Sequence, residues 1–163
     1  MGNQDRSGST PATVTLARAG VQFTLHPYDH DPAASSYGRE AAESIGVAPE
    51  RVFKTLVADV DGTLTVAVVP VSGQLDLKAL AAAVGAKRAG LADPARAQRT
   101  TGYVLGGISP LGQRKTLPTV LDDSALGFAS VLVSAGRRGL DLELRVDDLV
   151  RLTRATLAPI GRR

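Results

Sequence analysis

The sequence contains no cysteine, no tryptophan and a single methionine among its 163 residues, and aromatic residues make up only 4%. Without cysteine, the chain forms no disulfide, offers no thiolate to a metal and has no cysteine nucleophile. With so few aromatic side chains, alanine, valine and leucine must fill the hydrophobic core. The length and the 44% content of hydrophobic residues are still sufficient for one domain with a buried core.

Long apolar runs are also missing. No segment approaches the roughly 20 apolar residues that a membrane-spanning helix needs, and residues 1–9 are polar, unlike a signal peptide. We therefore expect a cytoplasmic protein that does not bind membranes. Because no linker or shift in composition divides the chain, we predict one domain over residues 10–158, a disordered leader over 1–9 and a basic tail over 159–163.

Positive charge exceeds negative charge only modestly. The formal net charge is +3, the pI is about 9.6, and arginine outnumbers lysine 15 to 4. The basic residues occur in short pairs rather than in the dense stripe that is typical of proteins binding duplex DNA. This pattern favours contact with one end of an RNA over contact with DNA, although a coding bias toward arginine would produce the same composition.

Local signals predict an irregular alternation of helices and strands. Capping residues and helix-ending glycines indicate helices over residues 11–19, 38–45, 76–84, 93–102 and 147–157. Runs rich in β-formers indicate strands over residues 23–26, 52–59, 63–69, 119–121, 130–134 and 140–144. Asp61-Gly62 between two of these runs is a strong hairpin signal. The order predicts an α+β fold with a mixed sheet in a single domain.

The run Gly106–Arg114, here called the double-glycine loop, is the clearest candidate for a site. Adjacent glycines can adopt positive φ and bring the backbone close to a ligand. Such a turn can direct N–H groups at an oxygen that carries negative charge. A purely structural turn is about equally compatible with the residues alone.

Lys54 is the only cation in its predicted strand. A lysine at a strand end often extends its ammonium to water, whereas a fixed ammonium binds a substrate oxygen or phosphate. Because side chains alternate along a strand, Thr55 should lie on the opposite face and support the site indirectly.

Both histidines lie in one short acidic segment, His26–Asp31. Their spacing matches no standard zinc pattern, and no cysteine supports one. We therefore expect no metal and no other cofactor, and we interpret His30 as a hydrogen-bonding residue of a loop.

Five stretches form an ordered series of motifs, namely Val52–Val57, Gly73–Lys78, Ala92–Tyr103, Gly106–Arg114 and Val133–Asp141. Together and in this order they resemble the YbaK/EbsC family of aminoacyl-tRNA deacylases, which is related to the editing domain of prolyl-tRNA synthetase. The resemblance covers residues 10–158 and is strongest to the bacterial Cys-tRNA(Pro) deacylase branch. It implies a mixed, partly closed β-sheet, or pseudo-barrel, surrounded by helices.

The resemblance also implies roles for particular residues. Lys54 would be the essential lysine and Gly106 the residue whose backbone amide holds the substrate ester. Tyr37 stands where the family often has phenylalanine, and Ala135 replaces a common glycine. The residues implied to bind the substrate are Tyr28, Tyr37, Thr55, Gly107, Ile108, Ser109, Ser134 and Asp141.

The implied activity is cleavage of the ester between a wrong amino acid and tRNA, with cysteine on proline tRNA as the expected substrate. In the family mechanism the substrate's own thiol attacks its carbonyl, which releases the tRNA and a thiolactone, so no protein nucleophile is needed. The expected partners are the acceptor end of mischarged tRNA and prolyl-tRNA synthetase.

Three alternatives remain open from the sequence. A related deacylase could act on alanine or serine esters, and a non-catalytic module could bind RNA or a nucleotide with the same fold. A structural or interaction protein is the third, although it would leave the double-glycine loop without a purpose.

Overall fold

The computed structural model describes residues 9–31, 33 and 37–163, and of Tyr37 only the backbone. The predicted disordered leader therefore lies outside the described residues except for Ser9. Among the described residues, no helix is long and apolar enough to cross a bilayer. The α-helices are α1 Pro11–Arg18, α2 Tyr37–Ile45, α3 Leu77–Ala83, α4 Pro94–Thr101 and α5 Val146–Thr153.

Ten strands and two 3₁₀ helices complete the described part of the chain. The 3₁₀ helices are Pro49–Arg51 and Asp123–Gly127. The strands are β1 Phe23–Pro27, β2 Phe53–Val60, β3 Thr63–Pro70, β4 Gln74–Leu75, β5 Ala89–Leu91, β6 Thr119–Asp122, β7 Ser130–Arg137, β8 Leu140–Arg145, β9 Thr156–Ala158 and β10 Gly161–Arg162.

The strands form a mixed five-stranded sheet of order β5-β2-β3-β6-β9, an antiparallel three-stranded sheet of order β1-β8-β7, and the pair β10-β4. In the larger sheet β2 is antiparallel to β3 and β5, whereas β6 is parallel to β3 and β9. A single parallel bridge between Val52 and Leu132 connects the two larger sheets. The α+β class and the mixed sheet are confirmed, and the sheets do not close into a barrel.

The local signals at the start of the chain act as predicted. The Thr10 hydroxyl accepts a hydrogen bond from the Thr13 amide and caps α1. Asp61 and Gly62 join β2 to β3 with φ values of 48° and 90°. Left-handed conformations at both central positions are those of a type I′ hairpin turn.

The end of the chain differs from the prediction. The last helix has Arg145 at its N-cap and ends at Arg154, which adopts a left-handed φ of 54°. Asp147, where this helix was predicted to begin, lies inside its first turn. Residues 156–158 form β9 because they pair with β6, and this sheet contact outweighs the helical pattern that was predicted to continue to Leu157. The predicted basic tail contains β10, which pairs with β4.

Three hydrophobic clusters follow from this arrangement. The main core draws side chains from both larger sheets and from α1, α4 and α5, including Phe53 and Val57 of β2. Ala58 and Val60 belong to a second cluster with Leu80 of α3. Strand β2 therefore contributes side chains to two clusters, and the cavity described next opens beside it.

Candidate active site

A cavity of about 570 Å³ lies beside β2 and is the candidate active site. Its walls come from β2, the segment β5–α4, the double-glycine loop and the paired strands β7 and β8. Seven of the ten residues implied by the resemblance line this cavity. They are Tyr28, Lys54, Thr55, Gly106, Ile108, Ser134 and Asp141.

Lys54 is half-buried and lines the cavity. Its Nζ donates a hydrogen bond of 2.9 Å to the carbonyl oxygen of Gly73. Burial lowers the pKa of the Lys54 ammonium, and the positive charge of Arg39 acts in the same direction. Among the described residues the ammonium is thus held by one backbone contact, which leaves two of its three donors for a ligand.

Thr55 lies on the face of β2 that also carries Phe53 and Val57 of the main core, opposite to Lys54. The predicted opposition of the two side chains is therefore present. Yet Thr55 lines the cavity as well, and its buried Oγ1 has no hydrogen-bond partner among the described residues. Since a buried hydroxyl without a partner costs free energy, this atom is available to a ligand.

The two glycines of the double-glycine loop serve different purposes. Gly106 has a φ of 84°, a left-handed conformation that favours glycine, and it lines the cavity. Gly107 is buried, and a Cβ there would lie 2.8 Å from Cα of Arg137 and 3.0 Å from N of Arg138. The first glycine therefore sets the turn, and the second lets the loop pack against the backbone of the β7–β8 turn.

Side chains of the β7 end hold this loop through its carbonyl groups. The Ser134 hydroxyl donates to the Gly107 carbonyl at 3.1 Å and accepts from the Gly136 amide at 3.1 Å. The Arg138 guanidinium donates to the Leu105 carbonyl through Nε and Nη2 at 3.1 and 2.7 Å. With these carbonyls bonded, the loop presents Gly106 to the cavity in a defined orientation.

Asp141 is a buried acid in the cavity wall, with 5% of its surface exposed. It pairs across the sheet with Ser134 of β7 and His26 of β1. Burial raises the pKa of its carboxyl to about 7. Burial also raises the pKa of the Tyr28 phenol, and the charge of Asp141 acts in the same direction, so the two groups are neighbours.

The remaining implied residues lie elsewhere. Ser109 is fully buried and is not part of the cavity wall; its Oγ accepts from the Leu111 amide at 3.3 Å. Gly107 lies behind Gly106 and contacts the β7–β8 turn rather than the cavity. The side chain of Tyr37 lies outside the described residues. Ser109 and Gly107 thus contribute to the internal structure of the loop.

Both histidines have carboxylate partners. His26 Nε2 lies 3.0 Å from Glu143 Oε1, and His30 Nδ1 lies 2.9 Å from Glu40 Oε1. The interpretation of His30 as a hydrogen-bonding loop residue is confirmed. No cluster of three potential metal-ligating side chains occurs within residues 9–31, 33 and 37–163.

Sequence reasoning missed one whole wall of the cavity. Leu91, Ala92, Pro94 and Ala97 line it, from β5 and the start of α4. The stretch Ala92–Tyr103 belongs to the motifs that carry the resemblance, but none of its residues was assigned to the site. Asp93 caps α4, since its carboxylate accepts a hydrogen bond from the Arg96 amide at 3.0 Å. The apolar residues around the cap were the available signal, but nothing in a single sequence places them opposite β2.

Comparison with known proteins assigns this architecture to a family. A family model described as an aminoacyl-tRNA editing domain matches residues 30–152. An Enterococcus faecalis protein, EbsC, provisionally named a Cys-tRNA(Pro)/Cys-tRNA(Cys) deacylase, is 42% identical over 120 residues, 73% of each chain. The Escherichia coli K12 protein ProXp-y, named a multifunctional Ser/Thr-tRNA deacylase, is 31% identical over 90% of this chain and 89% of its own.

The fold gives the same result. A crystal structure provisionally described as a trans-editing enzyme for prolyl-tRNA synthetase superposes with a TM-score of 0.82 at 25% identity, over 95% of this chain and 99% of the other. Sequence and fold therefore agree over most of the chain, and the protein belongs to the family of aminoacyl-tRNA editing domains.

Proposed function

We propose that this protein cleaves the aminoacyl ester of mischarged tRNA in trans, and that cysteine on proline tRNA is its substrate. The observation that carries the proposal is the cavity itself, because the Lys54 ammonium and the Gly106 backbone both line it. The 42% identity to a relative provisionally named for Cys-tRNA supports the choice of amino acid.

The residues around the cavity support a mechanism without a protein nucleophile. Neither histidine is among its lining residues, and the chain has no cysteine. The Ser134 hydroxyl, which could attack an ester, donates its hydrogen bond to the Gly107 carbonyl and not to a base among the described residues. An aminoacyl ester is already activated, so that orientation and stabilisation of charge suffice for cleavage.

In the proposed reaction the thiol of the bound cysteine attacks its own carbonyl carbon. The C–O bond to the terminal ribose breaks, the ribose oxygen gains the proton that the thiol loses, and the amino acid leaves as a thiolactone. Lys54 holds the substrate end, and the Gly106 amide stabilises the negative charge that develops on the carbonyl oxygen. Tyr28 and Ser134 shape a small cavity that excludes larger side chains.

A serine-specific deacylase is the second candidate. The 31% identity to a relative named for Ser/Thr-tRNA favours it. So does the Thr55 hydroxyl, which has no partner among the described residues and could bond a substrate hydroxyl. A cavity that excludes by size alone discriminates poorly between cysteine and serine, which have similar volumes. A requirement for the substrate thiol would supply the discrimination that size does not.

A panel of defined mischarged tRNAs separates these functions. Proline tRNA charged with cysteine, serine, alanine or proline is incubated with the protein, and the remaining ester is measured. Fast loss of cysteine alone, with a thiolactone as product, is the expected result. Equal loss of serine or alanine ester would contradict the thiol mechanism, and tight binding without turnover would identify a binding module. Addition of prolyl-tRNA synthetase tests whether it supplies the choice of tRNA.

Replacing Thr55 by valine should separate activity from stability. Valine has nearly the same shape, so removing an unpartnered hydroxyl should stabilise the fold by about 1 kcal/mol. If the substrate bonds this hydroxyl, kcat/KM should fall by about 3- to 10-fold, the value of one neutral hydrogen bond. Thermal melts and single-turnover cleavage measure the two effects.

Thr119→Val is the matched control, because its hydroxyl donates to the Leu117 carbonyl at 3.1 Å in the same sheet. It should lose stability and keep its rate of cleavage. Unchanged kcat/KM in Thr55→Val would show that no substrate atom uses the hydroxyl.

The two loop glycines should respond differently to alanine. Gly106→Ala adds a Cβ at a left-handed φ, at a cost of about 1–2 kcal/mol, and displaces the backbone that faces the substrate. Gly107→Ala forces a Cβ against the Arg137 backbone, at a cost of about 1–3 kcal/mol from overpacking. We expect Gly106→Ala to impair cleavage more than folding, and Gly107→Ala to lower the melting temperature as well as the rate.

Gly127→Ala is the control, since no atom of the described residues lies within 4 Å of a Cβ built there. Melting curves and single-turnover rates should show it close to wild type. If Gly106→Ala melts early yet cleaves normally at low temperature, the loop is only a structural turn.

A further inference from the structure

The cavity contains one acidic side chain to which the proposed mechanism gives no role. Asp141 is the only carboxylate among the described residues that line it. Its side chain takes part in none of the hydrogen bonds or ion pairs within residues 9–31, 33 and 37–163, although only 5% of its surface is exposed. A carboxyl so deeply buried is normally bonded or paired, so its missing partner is expected to come from a ligand.

No ion pair joins Asp141 to a cation among the described residues, and the Lys54 ammonium of the same cavity is bonded to the Gly73 carbonyl. His26 lies opposite on β1, but its ring is bonded to Glu143 at 3.0 Å. Ser134 lies opposite on β7, and its hydroxyl donates to a carbonyl of the double-glycine loop. Tyr28 is a neutral neighbour, and the nearest residue on the same face of β8, Glu143, is itself an acid.

The substrate of an editing domain offers one cation. RNA is a polyanion, whereas the acyl end of an aminoacyl ester carries an α-amine that is protonated near neutral pH. An ammonium and a carboxylate form a charge-assisted hydrogen bond, which is stronger than a neutral one and gains further strength in a site of low polarity.

We propose that Asp141 receives the α-ammonium of the aminoacyl group, so that the cavity accepts esters of free amino acids and rejects esters whose amine is blocked. This contact would orient the acyl chain between Asp141 and the ester-binding backbone of Gly106. It would also protect peptidyl-tRNA and N-formylated initiator tRNA, whose amines are acylated, from cleavage. The assignment rests on the proposed deacylase function.

The test compares a free and an N-acetylated ester of one tRNA. The ester that the wild-type protein cleaves fastest is used in both forms, because N-acetylation removes the charge and leaves a side-chain thiol intact. Since the α-ammonium also activates the ester chemically, each single-turnover rate is divided by the spontaneous hydrolysis rate of the same ester. Wild type, Asp141→Asn and the exposed control Asp123→Asn are assayed, with thermal melts of each.

We expect wild type and Asp123→Asn to prefer the free ester by at least 30-fold after this correction. Asp141→Asn should remain folded, lose at least 30-fold on the free ester and show a ratio near one. Equal corrected rates of wild type on both esters would overturn the assignment, as would a preserved preference in Asp141→Asn. A variant that loses both substrates equally would instead mark Asp141 as a base for the thiol.

The assays distinguish a failure of the deacylase function from a failure of the role of Asp141. If wild type cleaves no free aminoacyl ester, the deacylase function fails, and the role of Asp141 fails with it. If wild type cleaves free and blocked esters alike, only the role of Asp141 fails.

Discussion

Replacing Lys54 by alanine is expected to slow ester cleavage by a factor on the order of 10²–10³, with a folded protein. The lysine is half-buried in the cavity wall, and its ammonium is held by the Gly73 carbonyl at 2.9 Å. A donor fixed in this way needs no reorganisation when charge develops on the substrate. Its removal should therefore raise the free energy of the transition state. Single-turnover cleavage of the preferred mischarged tRNA measures the effect.

Two further variants test whether the charge of Lys54 is responsible for the effect. Lys54→Met retains the length of the apolar stem and should be as inactive as Lys54→Ala, because only the charge is removed. Lys87→Ala removes an exposed lysine and should cleave at the wild-type rate. Rates near wild type in a folded Lys54→Met protein would exclude an essential role for the ammonium.

Replacing Asp141 by asparagine is expected to increase stability at alkaline pH and to remove a pH dependence. Burial raises the pKa of the Asp141 carboxyl from 3.8 to about 7 in the folded protein. Between these values the folded state holds a proton that the unfolded state has lost, so stability must fall as the pH rises from about 4 to about 7. A shift of this size corresponds to roughly 4 kcal/mol at most.

The measurement is the free energy of unfolding by urea at several pH values. The difference between Asp141→Asn and wild type should grow in favour of the variant from pH 4 to 7 and then level off. Asp123→Asn, an exposed acid in a 3₁₀ helix, should show no such growth. A difference independent of pH would mean that the carboxyl is ionised in the folded state without penalty, and hence that it has a partner.

The cost of this carboxyl has a functional meaning if the ligand supplies the missing cation. A substrate ammonium beside Asp141 would stabilise the ionised carboxylate and lower its pKa. Substrate binding would therefore offset the free-energy cost of burying this charge. Stability lost in the free protein would then appear as selectivity for the substrate.

The local elements were predictable because their signals are short-range. Thr10 caps α1 and Asp61-Gly62 turns the hairpin through contacts within a few residues, and both act as predicted. Residues 156–158 show the limit of such signals. Their helical pattern continued that of α5, but pairing with β6, more than 30 residues earlier in the chain, made them a strand.

The candidate site was predictable only as a set of residues. The sequence by itself determined that no cysteine can act as a nucleophile, and the resemblance of its motifs to a known family grouped Lys54, the double-glycine loop and Asp141. It also determined that Lys54 and Thr55 lie on opposite faces of a strand, because alternation is a property of the backbone.

Only the tertiary structure decided what each of these groups contacts. Gly107 must lack a side chain because the backbone of Arg137 approaches it, and Ser109 is buried behind the loop. The Thr55 hydroxyl has no partner in the part of the chain that the structure describes. Each of these facts depends on segments far apart in the chain meeting at a distance of a few ångströms. Hydrogen bonding and burial at the site depend on that packing, which composition and spacing along one chain do not specify.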